Sequence, residues 1–380
     1  MSGAPASGGW DAIVVGGGPG GSTAAWRLAR AGARVLLLDA ARFPRLKLCA
    51  GWVTPTVWRT LEIDPASYPR TIQPFADASI ELDGTVLETQ WAHAVSYGIV
   101  RREFDELLLR RAEQCGAVVR EGVRVTGVQR DGALTTLDTG DGPLAAPLVI
   151  GAGGHNCPVS RALGEISADE AVVVTRESET RVGSSRLREL TVRHGTPELF
   201  AEPDFRGYGW YFTKGDFLNV GIGCLGDGRD LHRRFDAMMA RLRGDGRLPA
   251  GLELEPFRGH AYAIRVDHPR RVAGDGFLLI GDAAGLARGV SGEGIGPAVE
   301  SAVLAAEAVL AARSPGASGA ALARRYAERI AARFGAGRPG LAERLLGALP
   351  HHVGETVARL VCRAPYLRRR LIFEGAFGMG

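Results

Sequence analysis

The segment that most constrains this chain lies near its start, where Ile13, Val14 and Val15 run directly into Gly16-Gly17-Gly18-Pro19-Gly20-Gly21. An apolar strand entering glycines spaced G-x-G-x-x-G is the fingerprint of a dinucleotide-binding βαβ unit. Gly16 permits the tight turn, and Gly18 lets backbone N–H groups approach a pyrophosphate. Gly21 lets the next helix pack close to the strand, with its positive end aimed at the phosphates. Ser22 to Ala31 reads as that helix and Gly32 closes it. Arg34 to Leu38 reads as a second buried strand with Asp39 at its edge. An acid roughly 20 residues past the glycines is placed to accept ribose hydroxyls.

At 380 residues the chain can hold one large α/β domain or two intertwined ones. Its 46% hydrophobic and 23% charged residues are ordinary for a globular enzyme. The net charge of +4 is small and scattered, and no nucleic-acid reading motif accompanies it, so nucleic acid is not an expected partner. The five cysteines, Cys49, Cys115, Cys157, Cys224 and Cys362, form no C-x-x-C pair. That argues against a disulfide framework or a cysteine zinc site and for a reducing compartment. The eight histidines show no metal spacing, so no metal is expected. Met1 to Trp10 lacks a cationic and apolar signal region, and no run of about 18 apolar residues exists. The expected location is cytoplasmic. Leu367-Arg368-Arg369-Arg370-Leu371-Ile372-Phe373, basic and apolar together, adds the option of peripheral membrane contact.

Further along, Arg42 to Thr60 reads as a loop and short helix. Residues 79–90 read as a hairpin turning at Asp83-Gly84, and Glu103 to Gln114 as a helix ending at Gly116. Val118 to Arg120, Val123 to Gln129 and Ala133 to Leu137 read as short strands, with Asp131-Gly132 a second hairpin turn, and Leu148 to Ile150 as a buried strand. Ala171 to Thr175, Leu190 to Val192, Tyr208 to Phe212 and Phe217 to Gly223 read as strands, with a helix near 230–243 between them and the next segment. Phe277 to Ile280 is another buried strand, a long alanine-rich helix spans about 292–312, and Ser314 to Gly319 reads as a loop. Two nucleotide-type segments therefore flank a β-rich block. The expected fold is α/β: a Rossmann-like domain from residues 10–75, 96–167 and 266–335, an inserted β-rich substrate domain from 76–95 and 168–265, and a helical C-terminal region from 336–380.

The second strong signal is Ile280-Gly281-Asp282-Ala283-Ala284, continued by Ser291-Gly292-Glu293-Gly294-Ile295-Gly296 and a helix. A strand ending in Gly-Asp puts a carboxylate at the sheet's C-terminal edge, where ligands of open α/β sheets bind. The glycine turn offers N–H groups and a helix N-terminus to an electron-rich ring or a pyrophosphate.

Together, the two motifs resemble the FAD-binding pattern of the p-hydroxybenzoate hydroxylase-like flavoproteins. That resemblance implies FAD as cofactor, with Gly16, Gly18, Gly21 and Asp39 on the adenosine side and Gly281 and Asp282 at the ribityl chain. It further implies Gly292, Gly294 and Ile295 along the flavin, and Arg101, in Arg101-x-x-Phe104-Asp105-x-x-Leu108, as an FAD contact. Within that fold the chain resembles the geranylgeranyl reductase family over roughly residues 10–315. Lys47-Leu48-Cys49-Ala50-Gly51 is similar to the family's Lys-x-Cys-Gly segment. Tyr208-Gly209-Trp210-Tyr211-Phe212 matches its Y-x-W-x-F core, and Lys214-Gly215-Asp216 leads into Asn219-Val220-Gly221-Ile222-Gly223. The chain departs from the family pattern in the spacing of Pro203 from Tyr208, in Thr213 for the closing proline and in Ala50 for glycine. It departs again in Gly151-Ala152-Gly153-Gly154-His155-Asn156, which lacks the usual Asp-Gly step.

The resemblance implies an FAD-dependent reductase of C=C bonds in an apolar, prenyl-type small molecule. NAD(P)H is a transient donor candidate, since no second dinucleotide fingerprint follows a strand, and the donor itself is left open. The alternative on the same fold is a monooxygenase or halogenase, although the halogenase W-x-W-x-I-P is not met by Trp210-Tyr211-Phe212-Thr213. A flavin- or lipid-binding carrier would leave Cys49 unused. Tyr208, Trp210 and Phe212 alternate along one strand and should share a face, as the wall of an apolar pocket or as core. Cys49, with Tyr208 and Trp210, makes up the expected catalytic set, Cys49 giving a proton to carbon after hydride arrives from the flavin. Lys47 is read as solvated, and His155 as a turn residue facing the cofactor.

Overall fold

The computed structural model describes residues 9–167, 170, 172–190, 193–226, 228–264, 269–312, 318–335 and 351–379. The strand Ala12–Val15 lies inside a six-stranded sheet, with Val35–Asp39 and Val149–Gly151 as its parallel neighbours. Val118–Glu121 extends the sheet on one side, and Phe277–Leu279 then Ala273–Gly274 on the other. Its parallel strands are near-continuous Val, Ile and Leu because helices cover both faces of such sheets. Ile13, Val14, Leu36, Leu37, Val149 and Ile150 are accordingly inaccessible to solvent. The helix Pro19–Arg30 packs against both Arg101–Gln114 and Ile295–Ala311. Sequence-distant segments thereby meet at the glycine turn.

The second layer is a seven-stranded sheet in the order Arg258–Ala263, Val172–Arg181, Phe217–Leu225, Gly207–Lys214, Glu198–Ala201, Asp77–Leu82 and Thr85–Gln90. The hairpin closing it turns at Asp83 (φ 51°) and Gly84 (φ 76°), the doubly positive pair that a type I′ turn demands. Tyr211, Val220 and Ile222 point from one face into a core with Phe235, Met238 and Met239 of the helix Leu231–Gly244. The opposite face carries Tyr208, Trp210 and Phe212, which pack with Phe75, Ile80 and Leu199. Phe373, Phe377 and Met379, beyond the helix His351–Arg363, return to the same cluster.

Some local expectations fail. No strand forms at Leu190: the helix Ser184–Leu190 ends there, with Leu187 fully buried, and residues 191–192 lie outside the described residues. The alanine-rich helix starts at Ile295 rather than near 292, because Gly292 takes φ 66° and Gly294 is the N-cap. A strand at Trp52–Val53, pairing with Ser96–Ile99, was not foreseen. Residues 314–317 of the expected loop and 336–350 of the expected C-terminal region lie outside the described residues.

Candidate functional site

The opening glycines are each fixed by what surrounds them. Gly16 has φ 113°, and a Cβ there would lie 2.4 Å from Ala152 O. A Cβ on Gly21 would lie 1.8 Å from Gly16 O, so the helix can approach the strand only without a side chain. Gly18 differs: the only heavy atom near its imagined Cβ is Arg45 Nη2, at 3.6 Å. The open side of the turn therefore faces a guanidinium and the N-terminus of Pro19–Arg30, a seat suited to a pyrophosphate. Asp39 accepts the N–H of Gly17 at 2.7 Å and of Ala41 at 2.8 Å, which fixes its carboxylate beside the turn.

The second motif sits directly opposite. Gly281 takes φ 56° and donates its N–H to Ser301 Oγ at 2.9 Å, locking the turn onto Ile295–Ala311. Asp282 Oδ1 is buried with no hydrogen-bond partner, and an imagined Gly294 Cβ would lie 3.1 Å from it. A buried carboxylate oxygen left without a donor is costly unless a ligand supplies one. The hydroxyls of a ribityl chain supply such donors. The glycine cradle, Arg45 and this orphaned oxygen together fit FAD.

The Gly-Asp turn is held from behind by Arg270. Its guanidinium grips Glu170 through Nε at 2.6 Å and Nη2 at 2.7 Å. Its Nη1 donates to the carbonyls of Ala283 at 3.1 Å, Asp282 at 3.2 Å and His155 at 3.3 Å. Burial and the adjacent Arg270 charge lower the His155 pKa.

The inner face of the seven-stranded sheet closes over this turn. Tyr208 donates its hydroxyl to Ser291 O, and Tyr262 Oη lies 2.3 Å from an imagined Gly292 Cβ. Burial raises the pKa of both phenols. Strand register places Glu177 and Glu179 on this face beside Trp210 and Phe212, with Gly221 and Asn219 between them. The chamber side of this face is thus divided: Trp52, Trp210, Phe212 and Phe377 pack together as an apolar cluster, and Glu177, His260 and Tyr262, with Lys47 against them, form a polar one. Lys47 Nζ lies 2.8 Å from His260 Nε2. Burial, then the Arg101 charge, lowers the Lys47 pKa. Burial and the Lys47 charge push His260 down to about 4. Burial raises Glu177 to about 7 against the pull of Lys214. Glu293 is raised to about 7 for the same reason, with Arg288 Nε 3.0 Å from its carboxylate opposing.

Cys49 borders the polar side. Its Sγ accepts the Gly51 N–H at 3.4 Å. Arg101 is buried and bidentate to Asp105, with both contacts at 2.8 Å. Lys214, wholly buried, donates to Ala50 O at 2.9 Å and to Glu179, tying the sheet to the Cys49 loop.

The structure therefore gathers Gly16, Gly18, Gly21 and Asp39 at one end. Gly281, Asp282, Gly292, Gly294 and Ile295 line the middle, and Cys49, Arg101, Tyr208 and Trp210 surround the chamber. Lys47, read from sequence as solvated, is instead half-buried and bonded to His260. Sequence reasoning missed Arg45, Glu177, Lys214, His260, Tyr262 and Arg270. Lys214 carried one signal, being a charged residue at the end of a strand that is otherwise aromatic and small; Glu177 carried none, since its strand is largely polar.

The profile of the FAD binding domain family matches residues 10–335. Menaquinone reductase of Mycolicibacterium smegmatis is 32% identical over 318 residues, covering 78% of this chain and 75% of that protein. Digeranylgeranylglycerophospholipid reductase 1 of Methanopyrus kandleri is 30% identical over 345 residues, covering 84% and 85%. A geranylgeranyl bacteriochlorophyll reductase-like protein of Thermoplasma acidophilum superposes with a TM-score of 0.79 at 20% identity, covering 97% of each chain.

Proposed function

The chain belongs to the FAD binding domain family, among its geranylgeranyl reductase-like oxidoreductases, and on that premise we propose that it saturates a carbon–carbon double bond in an apolar, prenyl-type lipid. The observation that carries this reading is the divided sheet face: aromatic rings for an isoprenoid chain beside titratable groups for the proton, both opposite the Gly-Asp turn. Bound FAD, reduced, supplies hydride. Gly18, Arg45 and the N-terminus of Pro19–Arg30 would hold its pyrophosphate, and Asp282 would accept from its ribityl hydroxyls. The rings of Trp52, Trp210 and Phe377 would border the alkene and exclude water, with Phe212, 1% exposed, backing them from the core. Lys214, through its bond to Ala50 O, holds the Cys49 loop at the chamber edge. A nicotinamide donor such as NAD(P)H would enter the same cleft in turn with the lipid.

The test is an anaerobic incubation of the dithionite-reduced holoenzyme with a menaquinone, geranylgeranyl diphosphate and a geranylgeranyl glycerolipid, read by mass spectrometry. A mass gain of one H₂ per turnover supports the reading. Turnover that requires oxygen and adds oxygen or halide returns the monooxygenase or halogenase alternative.

Access for such a lipid comes from the C-terminal segment, whose inner residues Phe373 and Phe377 complete the aromatic wall. Its outer side exposes Leu360 (62%), Tyr366 (71%) and Leu371 (54%) beside Arg363 and Arg370. Among the described residues no helix is long and apolar enough to cross a membrane. An apolar outer side of this kind, with its arginines paired to Asp83 and Glu374, would rest on a bilayer surface through its exposed leucines and tyrosine; co-flotation with phosphatidylglycerol vesicles, lost in a Leu360→Glu/Leu371→Glu variant, checks it.

A further inference from the structure

Saturating an alkene needs a proton as well as a hydride, and two groups at the chamber carry one. At Cys49 the Gly51 N–H donates to Sγ at 3.4 Å, and the side chain is only half-buried at the chamber edge. Glu177 lies deeper. It is only 3% exposed, and no hydrogen bond or ion pair reaches its carboxyl among the described residues. Lys214, the nearest cation on the sheet, is spent on Glu179 and Ala50 O. Glu177 also faces the chamber: an imagined Gly221 Cβ would lie 2.7 Å from Glu177 Cβ and 2.3 Å from Trp210 Cζ2, so both side chains rise from one face.

We propose that Glu177, a buried carboxylic acid standing beside Trp210 on the sheet face opposite the Gly-Asp turn, is the group that protonates the substrate carbon. The assignment rests on the alkene-reductase reading above. One alkene carbon takes hydride, with its electron pair, from reduced flavin. The other takes the proton of the Glu177 O–H, whose bonding pair stays on the carboxylate. The π bond is consumed, the flavin ends two electrons poorer, and Glu177 recovers a proton from solvent.

The charged or titratable groups that face Glu177 are Glu179 on its own strand, Lys214 on Gly207–Lys214, Arg258, His260 and Tyr262 on Arg258–Ala263, Lys47 on its loop and Arg101 on its helix. Burial dominates them and keeps the carboxyl protonated up to about pH 7. The acid is thus available up to about pH 7, as general acid catalysis near neutrality requires.

The experiment uses holoenzyme and three proteins: wild type, Glu177→Gln and Cys49→Ser. Reduced anaerobically, each is mixed with a menaquinone and, separately, with geranylgeranyl diphosphate, and flavin reoxidation and saturated product are followed in a single turnover. Glu177→Gln should keep full flavin content and lose about 100-fold or more in rate, the low end of what general acid catalysis contributes. Cys49→Ser is measured beside it, and a loss as large as or larger than that of Glu177→Gln would move the proton to Cys49 and overturn the role of Glu177. The wild-type rate should fall above about pH 7, and the Gln variant should lack that limb. Independently of turnover, difference infrared spectra at pH 6 should show a protonated-carboxyl band that Glu177→Gln removes. Equal rates for wild type and Glu177→Gln, or no such band, would overturn the role of Glu177 while leaving the reductase reading intact. No saturated product from wild type with either probe overturns the reading and the proton assignment together.

Discussion

Trp210 Nε1 donates a 2.7 Å hydrogen bond to Asn219 Oδ1 on the neighbouring antiparallel strand, and this bond turns the indole across the sheet. The ring can lie there only because residue 221 has no side chain: a Cβ on Gly221 would sit 2.3 Å from Trp210 Cζ2. The Asn219-Val220-Gly221 step thus serves the aromatic wall, with Asn219 orienting the ring and Gly221 making room for it.

Gly221→Ala should therefore displace the indole and break its bond to Asn219. Overpacking of this kind costs about 1–3 kcal/mol. Urea unfolding should show a lowered midpoint, while FAD content stays normal because the nucleotide turn is untouched. An alanine variant as stable as wild type would show that the indole has another resting place.

Arg270 and Glu170 form a buried pair whose remaining donors hold three carbonyls of the cofactor turns. Arg270→Met leaves Glu170 buried and unpaired, for which about 3–5 kcal/mol of destabilisation is expected. Adding Glu170→Met should recover much of that stability. FAD affinity should stay weak in the double variant, since the carbonyls of Asp282 and Ala283 remain unheld. Recovery of stability and affinity together would make the pair a packing device alone.

The chamber also sets a pH signature. Folded His260 takes a proton only near pH 4, against 6.5 for an ordinary imidazole, because it is buried against Lys47. The unfolded chain therefore binds more protons between these values, and stability falls as the pH drops from 6.5 toward 4, by up to about 3 kcal/mol. Glu177 has the opposite sign. Its raised pKa favours folding below 4.5, and that contribution is lost as the pH rises toward about 7. His260→Asn should flatten the acid limb of a denaturation series and leave the neutral limb in place; an unchanged acid limb would assign it to other groups.

The parts legible in the sequence were those whose geometry is local. Gly16, Gly18 and Gly21 announce the turn because their backbone has one use, and Asp282 follows from a strand that ends at a sheet edge. Alternation placed Tyr208, Trp210 and Phe212 on one face. The polar side of the chamber was not legible, because it assembles across sequence gaps that no spacing rule covers. Lys47 meets His260 from 213 residues away, and Arg270 meets His155 from 115. The helix Ser184–Leu190 was missed and its last residue, Leu190, was read as opening a strand, because a short apolar run does not reveal its period.

The proposed cofactor role of Asp282 makes a prediction of its own. Its Oδ1 is buried and lacks a donor from the protein, while Gly294 stands beside it without a side chain. A ribityl hydroxyl filling that vacancy would make a hydrogen bond to a charged acceptor, worth about 1.5–3 kcal/mol, or roughly 10- to 100-fold in affinity. Asp282→Ala should yield protein that folds, since a destabilising orphan has been removed, yet purifies pale. Titration of the apoprotein with FAD, followed by flavin fluorescence quenching, should show the weakened affinity. Asp282→Asn should fall between the two, because its amide oxygen still accepts but carries no charge. Full yellow occupancy in the alanine variant would place the ribityl chain elsewhere and detach the second motif from the cofactor.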